Sequence, residues 1–236
     1  MRVAGVDACR SGWVAVILAD AEGPEVTVRA DTAGPEVMVR AGASLAALLA
    51  PWLDQGGMIA GIDMPLGLLE KGWREADRAA RGLLGPRRSS VFAIPPRAVW
   101  AEASYPLANQ RCRELTGQGF SIQAWGLRPK LLEANQYRER CGHQLYEVHP
   151  ELAFAAMAGQ ALAHSKHTPA GRGLRRQLLS RAGLEIPAVT PSALMADVLD
   201  AAAVAWSTRR VAAGRAVTVP AEPQRDHAGR EIAIRY

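Results

Sequence analysis

Two short apolar runs in this 236-residue chain end in the same way. Val3-Ala-Gly-Val-Asp7 and Ile59-Ala-Gly-Ile-Asp63 each carry a small apolar residue, a glycine, a branched aliphatic residue and then an aspartate. Runs this short and this apolar read as strands buried on both faces. One aspartate closing such a run is ordinarily a turn former. Two in matching contexts constrain the fold further. If the strands are adjacent and parallel, both carboxylates emerge at one end of a sheet, where α/β proteins gather their ligands.

Further acids sit in apolar surroundings. Thr190-Pro191 starts a pattern that reads as a long helix to Ala213, and Asp197 and Asp200 lie three apart on it, on one face. A lone carboxylate among Ala, Val, Leu and Trp is costly unless it is paired, hydrogen-bonded or metal-bound. Both look remote from the helix end, and Asp200, one turn deeper, has the stronger claim. In Leu145-Tyr-Glu147-Val-His149-Pro-Glu151, alternation puts Glu147 on the face of Leu145, so it needs a partner. Glu151 is explained by the first turn of the following helix, and His149 reads as a cap or hydrogen-bond partner. Asp7, Asp63, Glu147 and Asp200 or Asp197 make an all-oxygen donor set, which suits Mg2+ or Mn2+ rather than structural zinc. Two such ions about 4 Å apart can activate water and stabilise a leaving oxygen in phosphodiester hydrolysis.

The rest of the chain supplies the frame. Strands are expected at Trp13–Leu18, Glu25–Ala30, optionally Glu36–Arg40, and at Gln144–Val148, with a terminal hairpin of Val217–Val219 and Glu231–Arg235. Helices are expected at Leu45–Leu53, ended by Gly56-Gly57, and at Trp73–Leu84, Pro129–Arg140, Pro150–Met157 and Gly173–Ala182. A meander followed by strand–helix alternation implies a mixed α/β sheet flanked by helices. Residues 85–126, rich in Pro, Gly and Ser, read as a loop-rich helical insertion within one domain spanning 1–236.

Basic residues outnumber acidic ones by 28 to 23, and all but Lys71, Lys130 and Lys166 are arginine. That fits a polyanionic partner, although a GC-rich coding bias gives the same composition. From Arg78 to Trp100 there is no acid, and Arg87-Arg88-Ser89-Ser90 and Arg97 set guanidiniums beside hydroxyls, a composition suited to phosphate. Lys130 is a weaker candidate. No P-loop, dinucleotide fingerprint or nucleophile elbow is present. Three cysteines without CxxC spacing point to a reducing compartment. No uncharged apolar stretch reaches the roughly 18–20 residues of a membrane span, so a cytoplasmic protein is expected.

Gly5-Val-Asp7-Ala-Cys-Arg-Ser-Gly-Trp13, Ile62-Asp63-Met-Pro-Leu-Gly67, Arg87-Arg-Ser-Ser-Val-Phe92, Pro95-Pro-Arg97, Glu147-Val-His-Pro-Glu151 and Asp197-Val-Leu-Asp200-Ala resemble the bacterial and archaeal family of unknown function 429, described as predicted nucleases with an RNase H-like fold. The resemblance spans nearly the whole chain. It implies an RNase H-like five-stranded sheet, three strands antiparallel and then two parallel, with acids on the first and fourth. Asp7 and Asp63 match those acids, and Asp197 or Asp200 matches an acid on the last helix of the integrase and Holliday-resolvase branch. Ala196 departs from the pattern, where a second acid is expected. The function implied is metal-dependent cleavage of nucleic acid. A nucleotide-binding phosphotransferase of the actin/sugar-kinase type and an inactive RNase H-like binding module remain as alternatives.

Overall fold

The computed structural model describes residues 2–19, 35–53, 58–141, 144–187 and 195–236. Its first strands are β1 (Arg2–Cys9), β2 (Gly12–Ala19) and β3 (Glu36–Gly42), each antiparallel to the one before. β3 is the strand expected as optional at 36–40. The expected strand at 25–30, the glycines at 56–57 and the Thr190-Pro191 helix start lie outside the described residues. After α1 (Leu45–Leu53) comes β4 (Met58–Ile62), parallel to β1, with Gly5 opposite Gly61 and Val6 opposite Ile62. The two matched runs are therefore neighbours in register.

Four helices separate β4 from the next strand: α2 (Glu75–Leu84), α3 (Tyr105–Thr116), α4 (Ile122–Gly126) and α5 (Arg128–Cys141). Two short 3-10 helices, Gly85–Ser90 and Arg97–Ala101, lie between α2 and α3. Segment 85–126 is thus more helical than its Pro and Gly content implies. Trp100 stacks on Trp125 at 6.0 Å and meets Phe120 edge-on at 5.8 Å, an aromatic cluster that orders the short helices.

β5 (Leu145–Val148) joins β4 in parallel, and α6 (Pro150–Ala158), α7 (Pro169–Arg181) and α8 (Met195–Ala212) follow. The expected terminal hairpin forms from β6 (Thr218–Arg225) and β7 (Glu231–Arg235). It does not stand apart. β7 pairs in parallel with β5, so the sheet has seven strands in the order β3-β2-β1-β4-β5-β7-β6, not the expected five. The extension buries Ile232, Ala233 and Ile234, which a detached hairpin would leave wet. Pro220 and Pro223 suit β6 to the edge, because proline cannot donate to a ladder.

Helices cover both faces of the sheet. Ala4, Val6, Trp13, Ala15 and Ile17 pack with α1 and α5 on one side, and Val3, Val14, Val16 and Leu18 pack with α6, α7 and α8 on the other. Residues 198–205 of α8 are all buried. A helix apolar all round belongs inside, and α8 lies between the sheet and α6 and α7.

Candidate metal centre

Side chains two apart on a strand share a face. Gly5 and Asp7 are two apart on β1, and Gly61 and Asp63 are two apart at the end of β4. Both glycines face α8. A Cβ on Gly5 would lie 2.0 Å from the Ala205 backbone nitrogen and 2.2 Å from the Ala201 carbonyl oxygen. A Cβ on Gly61 would lie 2.2 Å from Thr208 Oγ1. The missing side chains let the helix lie on the strands, and the aspartates that follow face its N-terminal half. Asp63 is fixed there by its own backbone, whose N–H donates to the Val6 carbonyl at 2.8 Å.

Asp200 meets them from α8 and is 1% exposed. Burial pushes the Asp7 carboxyl well above the ordinary carboxylate range, and the charges of Asp63 and Asp200 push it further. Asp63 is raised to about 6, mainly by burial, with Asp200 adding to the shift and His149 opposing it. Asp200 is also raised by burial, against the pull of Lys166. Asp200 thus disfavours ionisation at both strand aspartates, and Asp63 disfavours it at Asp7, so positive charge is favoured beside them. Asp197 lies in the first described turn of α8 and adds to the negative charge at Asp7. The residues before Met195, where the helix was expected to start, lie outside the described ones.

The surrounding charges were less legible. The Lys166 ammonium, on the loop between α6 and α7, donates to Asp200 Oδ2 at 2.6 Å. Burial alone would lower its pKa, but Asp200, with Asp7 and Asp63, raises it well above the ordinary range. Arg175, buried on α7, holds Glu151 by two hydrogen bonds of 2.9 and 2.7 Å. The signal that could have found Lys166 is its type, a lysine in a chain that otherwise uses arginine.

Glu147 does not join the three aspartates on their face. It pairs with Ile62, whose side chain lies on the α1/α5 side, so Glu147 lies there too. Its partner requirement is met by Arg74 Nη2 at 2.5 Å and by the Leu66 backbone N–H at 2.7 Å. Arg74 also lies 3.5 Å from Asp77, which accepts from the Ile94 N–H at 2.9 Å. Burial lifts Asp77 to about 7, against the opposing charge of Arg74. Asn135 completes the frame by accepting from the Gly67 N–H at 2.8 Å and donating to the Pro65 carbonyl at 3.0 Å. The segment directly after Asp63 is held at three backbone points.

The candidate phosphate-contact residues divide. Arg87 donates to the Leu162 and Ala163 carbonyls at 2.9 and 2.6 Å, and Ser90 Oγ donates to the Arg87 carbonyl at 2.9 Å. The His149 ring makes a 3.2 Å contact to the Ser90 carbonyl, which ties this 3-10 helix to the junction of β5 and α6. The side chains of Arg88 and Ser89 are exposed, with no ion pair or hydrogen bond among the described residues. Arg97 is engaged by Glu70 at 3.4 Å and His227 at 2.7 Å. Lys130 lies elsewhere, 4.6 Å from the Trp13 ring centroid and 3.9 Å from Glu133, on the α1/α5 side.

The donor set fits a hard divalent ion in chemistry: Asp7, Asp63 and Asp200 offer only carboxylate oxygens, and Asp200 Oδ1 is buried without a hydrogen-bond partner. Among the described residues no group of three or more His, Cys, Asp and Glu side chains is arranged to hold a metal ion. The fit is one of donor type and burial, not of completed coordination.

The chain matches the family model "Protein of unknown function (DUF429)" over residues 5–225, and it belongs to that family. No match was found among curated proteins. Among solved structures it is similar to Thermus thermophilus RuvC, at TM-score 0.34 and 14% identity, over 91% of this chain and 98% of that one. It is similar also to T. thermophilus RuvC in complex with Holliday junction substrate, at TM-score 0.34 and 14% identity, over 91% and 97%. No helix among the described residues is long and apolar enough to cross a membrane.

Proposed function

We propose that this chain is an RNase H-like, Mg2+- or Mn2+-dependent nuclease of the cytoplasm that hydrolyses phosphodiester bonds in nucleic acid. The strand order supports the fold: β3, β2 and β1 antiparallel, then β4 and β5 parallel, with acids at the ends of the first and fourth strands. In that reading, residues 1–236 form one domain with 85–126 as its insertion. The observation that carries the activity is the placement of Asp7 and Asp63 on the face of β1 and β4 that α8 covers, where Asp200 meets them from the helix with its Oδ1 unpartnered.

Asp7 and Asp63 would hold the ion, with Asp200 and Asp197 beside them on α8. A bound divalent ion supplies a Lewis acid that lowers the pKa of water and offsets charge on the phosphoryl oxygens. The chain's own residues prepare for it. Glu147, with Arg74 and Asn135, holds the segment behind Asp63 still. Arg88 and Ser89 offer donors to the backbone of the nucleic acid, and Arg87 and Ser90 hold that turn against the 162–163 loop and His149. Arg97 and Lys130 lie on the flanks as further cations.

The test is cleavage of a panel of RNA–DNA hybrids, branched DNA and structured RNA, with and without Mn2+. Cleavage should need the ion and vanish in Asp7→Asn. Pure folded protein that leaves the whole panel intact would sink the reading. The Lys166–Asp200 ion pair favours a second one, an inactive binding module, which requires that Mn2+ leave the melting temperature unchanged.

A further inference from the structure

Lysine is scarce here, with three copies in the chain, and one of them reaches the acid cluster. Its loop is fixed from several sides. Arg87 holds the carbonyls of Leu162 and Ala163, Arg175 donates to the His164 carbonyl at 3.1 Å, and Thr168 Oγ1 donates to the Ser165 carbonyl at 2.9 Å. From this base the Lys166 side chain, 36% exposed, runs inward to a carboxylate that is 2% exposed. A guanidinium is a broad planar fork suited to bidentate contacts, whereas an ammonium is a compact point charge on a flexible stem. Hydrogen-bonded to Asp200 at 2.6 Å and within electrostatic reach of Asp7 and Asp63, the compact charge resembles a small cation.

Two-ion phosphodiester chemistry places positive charge on both sides of the reacting phosphorus, near the attacking and the leaving oxygen. We infer that Lys166 fills one of these two positions permanently, so that the native chain takes a single divalent ion, at Asp7 and Asp63, beside a protein-borne charge at Asp200. This rests on the metal-dependent reading above. Lys166 is then a charge-supplying residue of the site and not only the partner of a buried acid. The unpartnered Asp200 Oδ1 leaves that carboxylate capacity for an ion if the ammonium is removed.

The experiment counts Mn2+ ions bound by the full chain, by electron paramagnetic resonance of the free ion, and follows melting temperature in parallel. The variants are Lys166→Met and the double variant Lys166→Met/Asp200→Asn. The expected counts are one ion for the native chain, two for Lys166→Met and one for the double variant. Without Mn2+, Lys166→Met should melt below the native chain, and Mn2+ should raise its melting temperature by more than it raises the native one. Equal counts in native and Lys166→Met protein overturn the inference and leave the metal site standing. Two ions in the native chain overturn it whatever the variants do, including a Lys166→Met protein that fails to fold. No uptake by any of them removes the metal reading and this inference together.

Discussion

Gly5 and Ala205 touch through their backbones: a Cβ on Gly5 would stand 2.0 Å from the Ala205 nitrogen. This contact seats α8 on β1, and it sets the depth at which Asp200 meets Asp7. Neither obstacle at Gly5 is the end of a flexible side chain, because both are helix backbone. Gly5→Ala must therefore displace the central helix.

The expected loss for Gly5→Ala is about 3 kcal/mol or more, at the upper end of overpacking costs. Gly61→Ala should cost less, because its close contacts are the side-chain atoms Thr208 Oγ1, Val148 Cγ2 and Val204 Cγ1. Adding Thr208→Ala should recover part of the Gly61→Ala loss. Denaturant unfolding of the three proteins checks the order, and equal losses at the two glycines would contradict it.

The buried charges around Glu147 should behave as a unit. Arg74→Met leaves Glu147 and Asp77 buried without their cation, a loss of about 3–5 kcal/mol. Arg74→Met/Glu147→Gln should cost markedly less than the sum of its single changes, because the amide still accepts from the Leu66 N–H. A double-mutant cycle measured by chemical unfolding gives the coupling directly, and strict additivity would refute it.

Stability should fall as pH rises through the acid-to-neutral range in protein free of divalent ions. Asp63 and Asp77 titrate at about 6 and about 7 when folded, against about 4 when unfolded. The folded state thus holds more protons than the unfolded one between about pH 4 and 7, so stability falls with pH across that window. The slope near its upper end should flatten in Asp77→Asn. Mn2+ should raise the melting temperature more above that window than below it, because protons compete for Asp63. Melting curves in chelator and in Mn2+ test both, and a slope unchanged in Asp77→Asn would count against the Asp77 assignment.

The two adjacent arginines should separate by phenotype. Arg88→Ala should weaken nucleic-acid binding and reduce the slope of log affinity against log salt by about 1, with little change in melting temperature. Arg87→Ala removes the hydrogen bonds to Leu162 and Ala163 and should lower the melting temperature. Salt-dependent binding assays and thermal melts on both variants decide, and an Arg88→Ala protein that binds as the native chain does would remove that contact.

Local patterns determined much of this protein from sequence alone. The Gly-X-Asp endings of β1 and β4, the helical spacing of Asp197 and Asp200, and the alternation of Leu145 and Glu147 depend on near neighbours and the two periodicities of the backbone. So does the existence of the terminal hairpin. Tertiary structure decided the rest. Glu147 shares a strand face with Leu145, as alternation requires, but its pairing with Ile62 assigned that face to the side opposite the aspartates. β7 became a sheet strand by pairing with β5, Glu147 opposite Ile234 and Val148 opposite Arg235, a partner remote in sequence. Lys166 met Asp200 across 34 residues and the whole of α7. Strand register and helix packing are set by burial between distant segments, so short-range spacing could indicate which residues want a partner but not which partner each would find.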